Sequence, residues 1–431
     1  MTPIALAWIV LLVLLFLNVP VFISVLGACI AYFLANPSAG ITGVLAIQRV
    51  ISGMQSVPLL AIPFFVAAGV LMNYCGITQR MLRFCKVLTG HLYGGLGQVN
   101  IVLSTLMGGM SGSSLADAAM EAKMLVPDMV KSGYSLGFAS SITAVSSMIT
   151  PLIPPAIAAI IYGSITNTSI GHLFVAGIVP GLLLCFAMMF VVSRVAKRKH
   201  YPRLSEKRAT GRELWQAFKP AALPLALPLV IIGGIRFGFF TPTEAGAIAI
   251  LYALILGIAY RELRLDNLLS CLKETVSTTA SIMLIVGAAT CFSWILTWEN
   301  VPQTMMTAIL KVCSNKYVFL MVVNVFLLFV GLFIEATAAQ IVLAPMLVPV
   351  AVAFGIDPVH FGMVFIFNMA IGSLSPPMGN LMFVTCGVTH CKTEDFIRES
   401  RWFYLLLFVM LIAMTYLPFI TLALPNLVYG G

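Results

Sequence analysis

Four short segments of the chain combine helix-breaking residues with side chains that carry oxygen. Residues 108–120 read GGMSGSSLADAAM and residues 331–340 read GLFIEATAAQ, whereas residues 146–155 read SSMITPLIPP and residues 368–380 read NMAIGSLSPPMGN. A proline deletes an amide donor and frees a carbonyl upstream of it. Freed carbonyls beside hydroxyls suit a small cation, and the positive ends of half-helices suit an anionic group. The four segments therefore predict a site for a small cation together with an anion.

Two carboxylates stand out in these apolar surroundings. Asp117 follows the serines of the first segment by about one helical turn, and Glu335 lies in the second segment beside Thr337. An ionisable side chain in a membrane segment is a functional candidate because its burial is costly. The alternative is a helix N-cap, which needs only a carboxylate beside free amides. For Glu244, which follows Thr241 in the sequence FFTPTEAGA, the cap is the favoured interpretation.

The helix-breaking residues recur at one interval. The pairs Pro20 and Pro242, Pro127 and Pro349, Gly133 and Gly355, and the dipeptides 154–155 and 376–377 are each separated by 222 residues. A single broken helix is often a plain proline kink satisfied by serine or threonine. Two breaks at equivalent places in an internal repeat instead indicate a transporter, with its site where the broken helices meet.

The composition assigns the chain to a membrane. Hydrophobic residues make up 60% of its 431 residues and charged residues 9%, and the mean hydropathy is +1.04. Apolar runs of about 20 residues predict an all-α polytopic membrane protein rather than a β-barrel. The first run, residues 4–34, lacks a basic start and a cleavage site, so we interpret it as membrane structure and not as a removable signal.

Most of the net charge of +9 comes from residues 194–219, which hold nine Lys or Arg and two Glu. A short basic loop between apolar segments is expected in the cytoplasm. We interpret it as an orientation signal, with an anionic-lipid contact as the alternative, and not as a nucleic-acid surface. The nine cysteines are scattered without a C-x-x-C pair, which argues against a disulfide framework or a zinc site.

Membrane crossings counted from this connecting loop divide the chain into two repeats. The first repeat spans residues 1–193, with a re-entrant helical hairpin at about 92–131 and a broken transmembrane helix at about 134–163. The second spans residues 220–431, with a hairpin at about 317–354 and a broken helix at about 357–388. The two repeats run in opposite directions, so we predict an inverted-topology repeat with a periplasmic C-terminus.

The remaining elements follow from the same count. Residues 4–17 and 19–34 should form an antiparallel pair, although the side of the membrane that holds the N-terminus stays open. Residues 265–276 are amphipathic and predict an interfacial arm helix before the crossing at 277–298. Glu121 and Lys123 are expected near the cytoplasmic base of the first hairpin, with an ion pair between them as the alternative.

Five motifs together resemble one transporter family. GGMSGSSLADAA, SSMITPLIPP, FFTPTEAGA, GIDPVHFG at residues 355–362 and SPPMGN occur in this order over essentially the whole chain. They resemble the large membrane subunit of tripartite ATP-independent periplasmic (TRAP) transporters. The resemblance implies an elevator-type secondary importer in the bacterial inner membrane that is coupled to sodium, with two or more ions. It also implies a small four-helix membrane subunit and a periplasmic binding protein that delivers a carboxylate-bearing substrate, such as sialic acid, a C4-dicarboxylate, another sugar acid or a keto acid.

The resemblance also implies roles for individual residues. The first ion site would involve Ser111, Ser113, Asp117 and the backbone around Ile153 and Pro154, and the second would involve Thr337 with the carbonyls or hydroxyls near Ser373, Ser375 and Pro376. The candidate substrate-binding residues are Ser113, Ser114, Glu335 and Asn380. The chain departs from the family pattern at two places, since Ser375 replaces an expected threonine and Asn380 comes one position early.

Three alternatives remain beside this interpretation. The first is an importer of the same architecture that works without a binding protein and uses protons, with Asp117 or Glu335 titrating. The second is an intramembrane enzyme, but the sequence has no H-E-x-x-H, G-x-S-x-G or G-x-x-x-x-G-K-[ST] motif and Ser111 has no evident base, so we expect no enzymatic activity. The third is a channel, and the proline-broken repeat favours alternating access over a continuous pore.

Overall fold

The computed structural model describes residues 2–17, 19–36, 43–263, 265–301, 303–304, 307, 315–376 and 379–430. Pro377, one of the repeated prolines, lies outside these residues. Every regular element in the described ranges is helical. By length and composition, six of the described helices could cross a membrane, or seven if the last two helices, bent by 52° at their junction, form one span. The predicted all-α polytopic class is confirmed.

The first half of the chain, up to residue 199, forms ten α-helices in its described residues. They are α1 Pro3–Phe16, α2 Val21–Ala35, α3 Gly43–Met54, α4 Ala61–Tyr74, α5 Ile77–Thr89, α6 Gly95–Ser111, α7 Ser114–Lys131, α8 Leu136–Ser146, α9 Ile157–Thr166 and α10 Ile170–Lys199. Two short 3-10 turns, Val57–Leu60 and Ser147–Ile149, precede α4 and follow α8.

The second half forms nine described α-helices. They are α11 Gly211–Arg236, α12 Pro242–Ala259, α13 Leu265–Trp298, α14 Lys316–Gly331, α15 Ala336–Ala353, α16 Pro358–Leu374, α17 Asn380–Thr389, α18 Thr393–Tyr416 and α19 Phe419–Tyr429. The helix ends keep the spacing seen in the sequence, because α15 is shifted from α7 by 222 residues at both ends.

The chain is interrupted where the prolines predict interruptions. α8 ends at Ser146, and α9 begins only at Ile157, beyond the three prolines of the first break. α16 continues to Leu374, so Ser373 still belongs to the helix rather than to the second break. Ser375 is extended, with ψ 139°, which is the conformation that a following proline imposes on its neighbour. The Ser375–Pro376 bond therefore sets the end of α16.

The sequence predicts a loop over the basic segment 194–219, but only part of this segment is a loop in the structure. α10 continues to Lys199 and α11 begins at Gly211, which leaves residues 200–210 as the connection. The last turn of α10 carries Lys197, Arg198 and Lys199, and cations at this end oppose the negative pole of the helix. The start of α11 is fixed by a capping box between Thr210 and Glu213.

The arm predicted at residues 265–276 is not a separate helix. It is continuous with the following crossing in α13, a helix of 34 residues that contains no proline. At the equivalent place in the first half, Pro58 opens a 3-10 turn between α3 and α4. Because proline cannot donate the backbone hydrogen bond of a helix interior, the first half is divided where the second is not.

The helices pack in two groups that meet at α13. α1 and α2 pack on each other, and α2 also packs against α13. The larger core contains the hairpin α6–α7, the hairpin α14–α15 and the broken helices α8–α9 and α16–α17. α4 packs on α6, α9, α12 and α13, so it links the two groups. The broken helices therefore lie inside protein, where irregular backbone in a membrane can be satisfied.

Candidate functional site

A cavity of about 200 Å³ lies between the tips of the two hairpins. The first tip contributes the turn between α6 and α7, the second contributes the start of α15, and α16 closes one side. The cavity brings together six of the predicted site residues: Ser111, Ser113, Ser114, Glu335, Thr337 and Ser373. The sequence motifs from the two halves therefore meet at one place.

The first hairpin turns at Gly112 because only glycine fits there. Its φ is +63°, and a Cβ atom would lie 2.8 Å from the carbonyl oxygen of Pro155. Ser113 then caps α7, since its hydroxyl accepts a hydrogen bond from the amide of Ala116 at 3.4 Å. Residues 113–116 line the cavity, so the positive end of α7 lies at its wall.

The second hairpin presents a carboxylate at the equivalent position. Glu335, 222 residues after Ser113, caps α15 by accepting a hydrogen bond from the amide of Ala338 at 2.9 Å. The N-cap expected as the alternative role of Glu335 is therefore present, and the same side chain lines the cavity. The negative carboxylate of Glu335 caps α15 directly, whereas α7 is capped by the neutral hydroxyl of Ser113 and carries its first-turn carboxylate, Asp117, buried in the protein.

Asp117 lies behind the first tip and is fully buried. Its Oδ2 atom accepts a hydrogen bond of 2.7 Å from the hydroxyl of Thr150, in the first break. Its Oδ1 atom is buried without a hydrogen-bond partner among the described residues. The hydroxyls that face this carboxylate come from Ser111 and Thr150. Asp117 is not a helix cap, because Ser113 supplies the cap of α7.

The first break packs closely against α6. A Cβ atom on Gly109 would lie 3.2 Å from the carbonyl oxygen of Pro154 and 3.5 Å from the side chain of Ile153. A Cβ atom on Gly108 would likewise lie 2.9 Å from the Cα atom of Thr150. The glycines of the first motif therefore let the break approach the hairpin beside Ser111, and the roles of Ile153 and Pro154 in the first ion site stay predictions.

Six of the predicted residues do not line this cavity: Asp117, Ile153 and Pro154 of the first predicted ion site, and Ser375, Pro376 and Asn380. The hydroxyl of Ser375 donates a hydrogen bond of 2.8 Å to the carbonyl of Ile371. Asn380 opens α17 and is exposed. Thr337 and Ser373 do line the cavity, and the hydroxyl of Ser373 donates to the carbonyl of Ala370 at 2.7 Å. Of the residues predicted for the second ion site, Thr337 and Ser373 therefore line the cavity and Ser375 and Pro376 do not, and Asn380 also lies away from it.

Four polar residues that the sequence analysis did not single out also line the cavity: Asn73 of α4, Glu274 and Thr278 of α13, and Gln340 of α15. The amide of Gln340 donates a hydrogen bond of 2.7 Å to the carbonyl of Ala158 at the start of α9. This bond joins the second hairpin to the first broken helix. The only signal for Glu274 in the sequence was its place on the amphipathic arm, which predicted an interfacial role instead, and Thr278 lies in the crossing predicted at residues 277–298.

The expectation for Glu121 is wrong. The side chain is fully buried instead of lying at the base of the hairpin, and its Oε2 atom accepts a hydrogen bond of 2.6 Å from the hydroxyl of Ser104. Its Oε1 atom has no hydrogen-bond partner in the described part of the chain. The spacing of four residues between Asp117 and Glu121 places both on one face of α7, which packs against α6. Lys123 is exposed, because it lies on a different face of α7 from Asp117 and Glu121.

We expect Glu121→Ala to destabilise the protein by about 1–3 kcal/mol, because the Ser104 hydroxyl then stays buried without its acceptor. Glu121→Gln keeps an acceptor oxygen and should be closer to the wild type. Thermal unfolding of the purified protein in detergent measures the difference. Lys123→Ala, two residues away and exposed, is the control. Equal unfolding midpoints for the two alanine variants would contradict the buried contact.

The architecture and sequence also match known proteins. The fold is similar to that of the YdaH transporter of Alcanivorax borkumensis, with a TM-score of 0.58 over 86% of each chain and 13% identity, a likeness of fold alone. Residues 8–420 match the family model described as the tripartite ATP-independent periplasmic transporter, DctM component. The chain belongs to the DctM family. The predicted family is thereby confirmed.

Curated relatives of this DctM-family chain cover nearly its whole length. It is 44% identical over 418 residues to the sialic acid TRAP transporter large permease protein SiaM of Vibrio cholerae, covering 97% of both chains. It is 38% identical over 369 residues to the C4-dicarboxylate TRAP transporter large permease protein DctM of Pseudomonas aeruginosa, covering 85% of this chain and 86% of the relative. The DctM-family chain is therefore a TRAP transporter large permease and a multi-pass membrane protein.

Proposed function

We propose that this permease imports a carboxylate-bearing small molecule, driven by a sodium gradient. The observation that carries the proposal is the cavity where the hydroxyl-capped N-terminus of α7 and hydroxyls from both tips meet. The buried carboxylate of Asp117, one oxygen of which has no hydrogen-bond partner among the described residues, lies behind the first tip. The relatives named for sialic acid and C4-dicarboxylates support a carboxylate as the common feature of the substrate.

The first sodium ion is proposed to bind at Asp117. A buried anion without a positive partner is costly, and Oδ1 of Asp117 is available to a cation. Ser111 and Ser113, with the carbonyls freed at Ile153 and Pro154, complete a set of hard oxygen ligands of the kind found at broken transporter helices. A second ion is proposed at Thr337 and Ser373, together with Ser375 and Pro376 of the second break.

The substrate carboxylate is proposed to bind at the N-terminal end of α7. The free amides of the first turn and the hydroxyls of Ser113 and Ser114 lie at the cavity wall there. Glu335 repels a second anion at the other tip and accepts hydrogen bonds from hydroxyl or amide groups of the substrate. A substrate with one charged end and one polar end fits this difference between the tips.

The transport step is proposed to follow an elevator mechanism. The hairpins and broken helices form the mobile unit, and α1–α2, α11–α12 and α13, which contains the predicted arm, form the scaffold. The equal spacing of α7 and α15 supports a repeat, which we propose to be inverted, with the C-terminus in the periplasm. Sodium binding neutralises the carboxylate and the freed carbonyls, so sodium should raise the substrate affinity, and substrate should raise the sodium affinity by the same factor.

Two protein partners are proposed from the tripartite family description. A soluble periplasmic binding protein delivers the substrate, and a small four-helix membrane subunit lies beside the scaffold. The choice among sialic acid, C4-dicarboxylates, sugar acids and keto acids is proposed to rest largely with the binding protein. The bacterial inner membrane is the location that this arrangement requires.

The test is uptake in proteoliposomes that contain the permease with its small subunit, with the binding protein added outside. Labelled sialic acid and succinate serve as probes, and a sodium jump, a proton gradient and a potassium-diffusion potential are applied separately. We expect accumulation only with an inward sodium gradient and only with the binding protein. Uptake that ignores sodium and follows a proton gradient without the binding protein would instead establish the proton-coupled alternative.

A further inference from the structure

A basic cavity lies where α10 ends and α18 begins. Its volume is about 670 Å³, and its cationic lining comes from Arg198 and Lys199 of α10 and from Arg398 and Arg401 of α18. Lys199 is paired with Glu399, with Nζ 2.6 Å from Oε1. In the described ranges, none of the three guanidinium groups forms an ion pair, although the carboxylate of Asp395 also lines the cavity. The cavity therefore keeps an excess of positive charge.

An apolar groove continues from this basic cavity between the same two helices. Its volume is about 500 Å³, and it is lined mainly by apolar side chains, including Phe190 and Val191 of α10 and Leu405 and Val409 of α18. Arg194 of α10 also lines it, with its guanidinium group over the ring of Phe190. The cavity and the groove share Val195, Arg198 and Trp402, so they form one continuous depression. Phe190, Leu405 and Val409 are 59%, 55% and 54% exposed, which leaves the groove open to a ligand from the bilayer.

The length of the depression matches one leaflet. From Ala187 at the far end of the groove to Arg198, α10 advances by eleven residues, which is about 16 Å at 1.5 Å per residue. Half of a hydrocarbon core of about 30 Å is about 15 Å. Trp402 lies at the junction of the cavity and the groove, and tryptophan is enriched at the level of the headgroups. The guanidinium groups therefore lie at headgroup depth when the groove lies along acyl chains.

We propose that an anionic phospholipid binds between α10 and α18, with its phosphodiester in the basic cavity and an acyl chain in the groove. Free phosphate would match the guanidinium groups but not the apolar groove that continues from them. An apolar helix of another protein would match the groove but leave the cations without an anion. A basic pocket between membrane helices on the cytoplasmic side is a recognised form of site for anionic headgroups, and the positive-inside pattern assigns this end to the cytoplasm. The lipid would join the last helix of the first half to a helix of the second.

The test compares lipids retained by the full-length protein in native mass spectrometry after purification and exchange into mixed micelles. The lipids are phosphatidylglycerol, cardiolipin, phosphatidylcholine and phosphatidylethanolamine at equal concentration. We expect the two anionic lipids to be retained at least about tenfold more than the zwitterionic ones, and to raise the thermal unfolding midpoint. Equal retention of all four lipids would overturn the proposal.

Two variants with the same change in net charge test whether the preference for anionic lipids arises at the basic cavity. The variant that combines Arg198→Gln, Arg398→Gln and Arg401→Gln should lose the anionic preference. The control that combines Lys207→Gln, Arg208→Gln and Arg212→Gln removes the same charge from exposed positions and should keep it. If both variants retain anionic lipid equally, the binding is general attraction to the basic end and the proposal is wrong.

A third variant and two competitors identify the occupant. Ala187→Trp fills the groove without changing charge and should reduce retention of anionic lipid severalfold. Inorganic phosphate should not displace the lipid, and displacement at millimolar phosphate would show a free-anion site instead. Co-expression of the small membrane subunit should leave lipid retention unchanged. If co-expression abolishes lipid retention, the groove is a protein interface.

Discussion

Replacement of Asp117 by alanine is expected to abolish sodium-driven uptake while membrane insertion stays intact. The carboxylate is fully buried, one oxygen is held by Thr150 at 2.7 Å, and the other has no partner among the described residues. Loss of a charged ligand should weaken sodium binding by about 3 kcal/mol, which is roughly a hundredfold in affinity. The measurement is the sodium dependence of substrate uptake in proteoliposomes, with the amount of inserted protein determined on the same vesicles.

The matched control for this prediction is Asp128→Ala. Asp128 is on the same helix and its side chain is 50% exposed beside Lys86, so the same change of charge should leave the sodium dependence unaltered. Asp117→Asn separates charge from shape, and we expect it to resemble Asp117→Ala. Normal sodium-driven uptake by Asp117→Ala would exclude this residue from the ion site. The sodium dependence of the wild type is tested separately, by the uptake assay on the unmodified protein.

Replacement of Gly177 by alanine is expected to destabilise the protein more than any other single methyl group added to a described helix of the first half. Gly177 lies on α10 where that helix crosses the first break, and its Cβ atom would lie 1.9 Å from the carbonyl oxygen of Leu152. The carbonyl belongs to backbone that is already confined by neighbouring prolines, so it cannot move aside cheaply. Overpacking of this kind costs about 1–3 kcal/mol, and more where backbone must shift.

Thermal unfolding and size-exclusion profiles of the purified variant measure this effect. Gly387→Ala on α17 is the control, because nothing lies within 4 Å of its Cβ position. There the added methyl group should stabilise the helix by about 0.5–1 kcal/mol, since glycine is a poor residue for a helix interior. A Gly177→Ala protein as stable as the control would show that the break does not pack on α10 as described.

The elements that local chemistry determines could be predicted from the sequence. The turn at Gly112 needs a positive φ, and Pro376 fixes the residue before it in an extended conformation, so both the hairpin tip and the second break appear in the sequence itself. The all-α class could be predicted from the composition, because only helices or closed barrels satisfy the backbone hydrogen bonds in lipid and the long apolar runs fit helices.

Contacts between distant segments could not be predicted in this way. Gln340 binds the carbonyl of Ala158, 182 residues away, and one glutamine in an apolar helix does not reveal its partner. The sequence placed Glu121 and Lys123 together near the base of the first hairpin, and only the packing of α7 on α6 decides which of the two is buried. The roles of the individual site residues stay predictions, and Ser375, Pro376 and Asn380 also lie outside the cavity in this structure.

The uninterrupted length of α13 makes the two halves mechanically unequal. This helix of 34 residues is about 51 Å long, and it packs on α2, α3 and α4 as well as on α15 of the second hairpin. The matching stretch of the first half has a joint at residues 55–60, between α3 and α4. A single helix resists bending, whereas two helices with a joint can pivot. A displacement of the second hairpin would therefore move α13 as one rigid helix. In the first half, the matching displacement would change the angle between α3 and α4 at the joint.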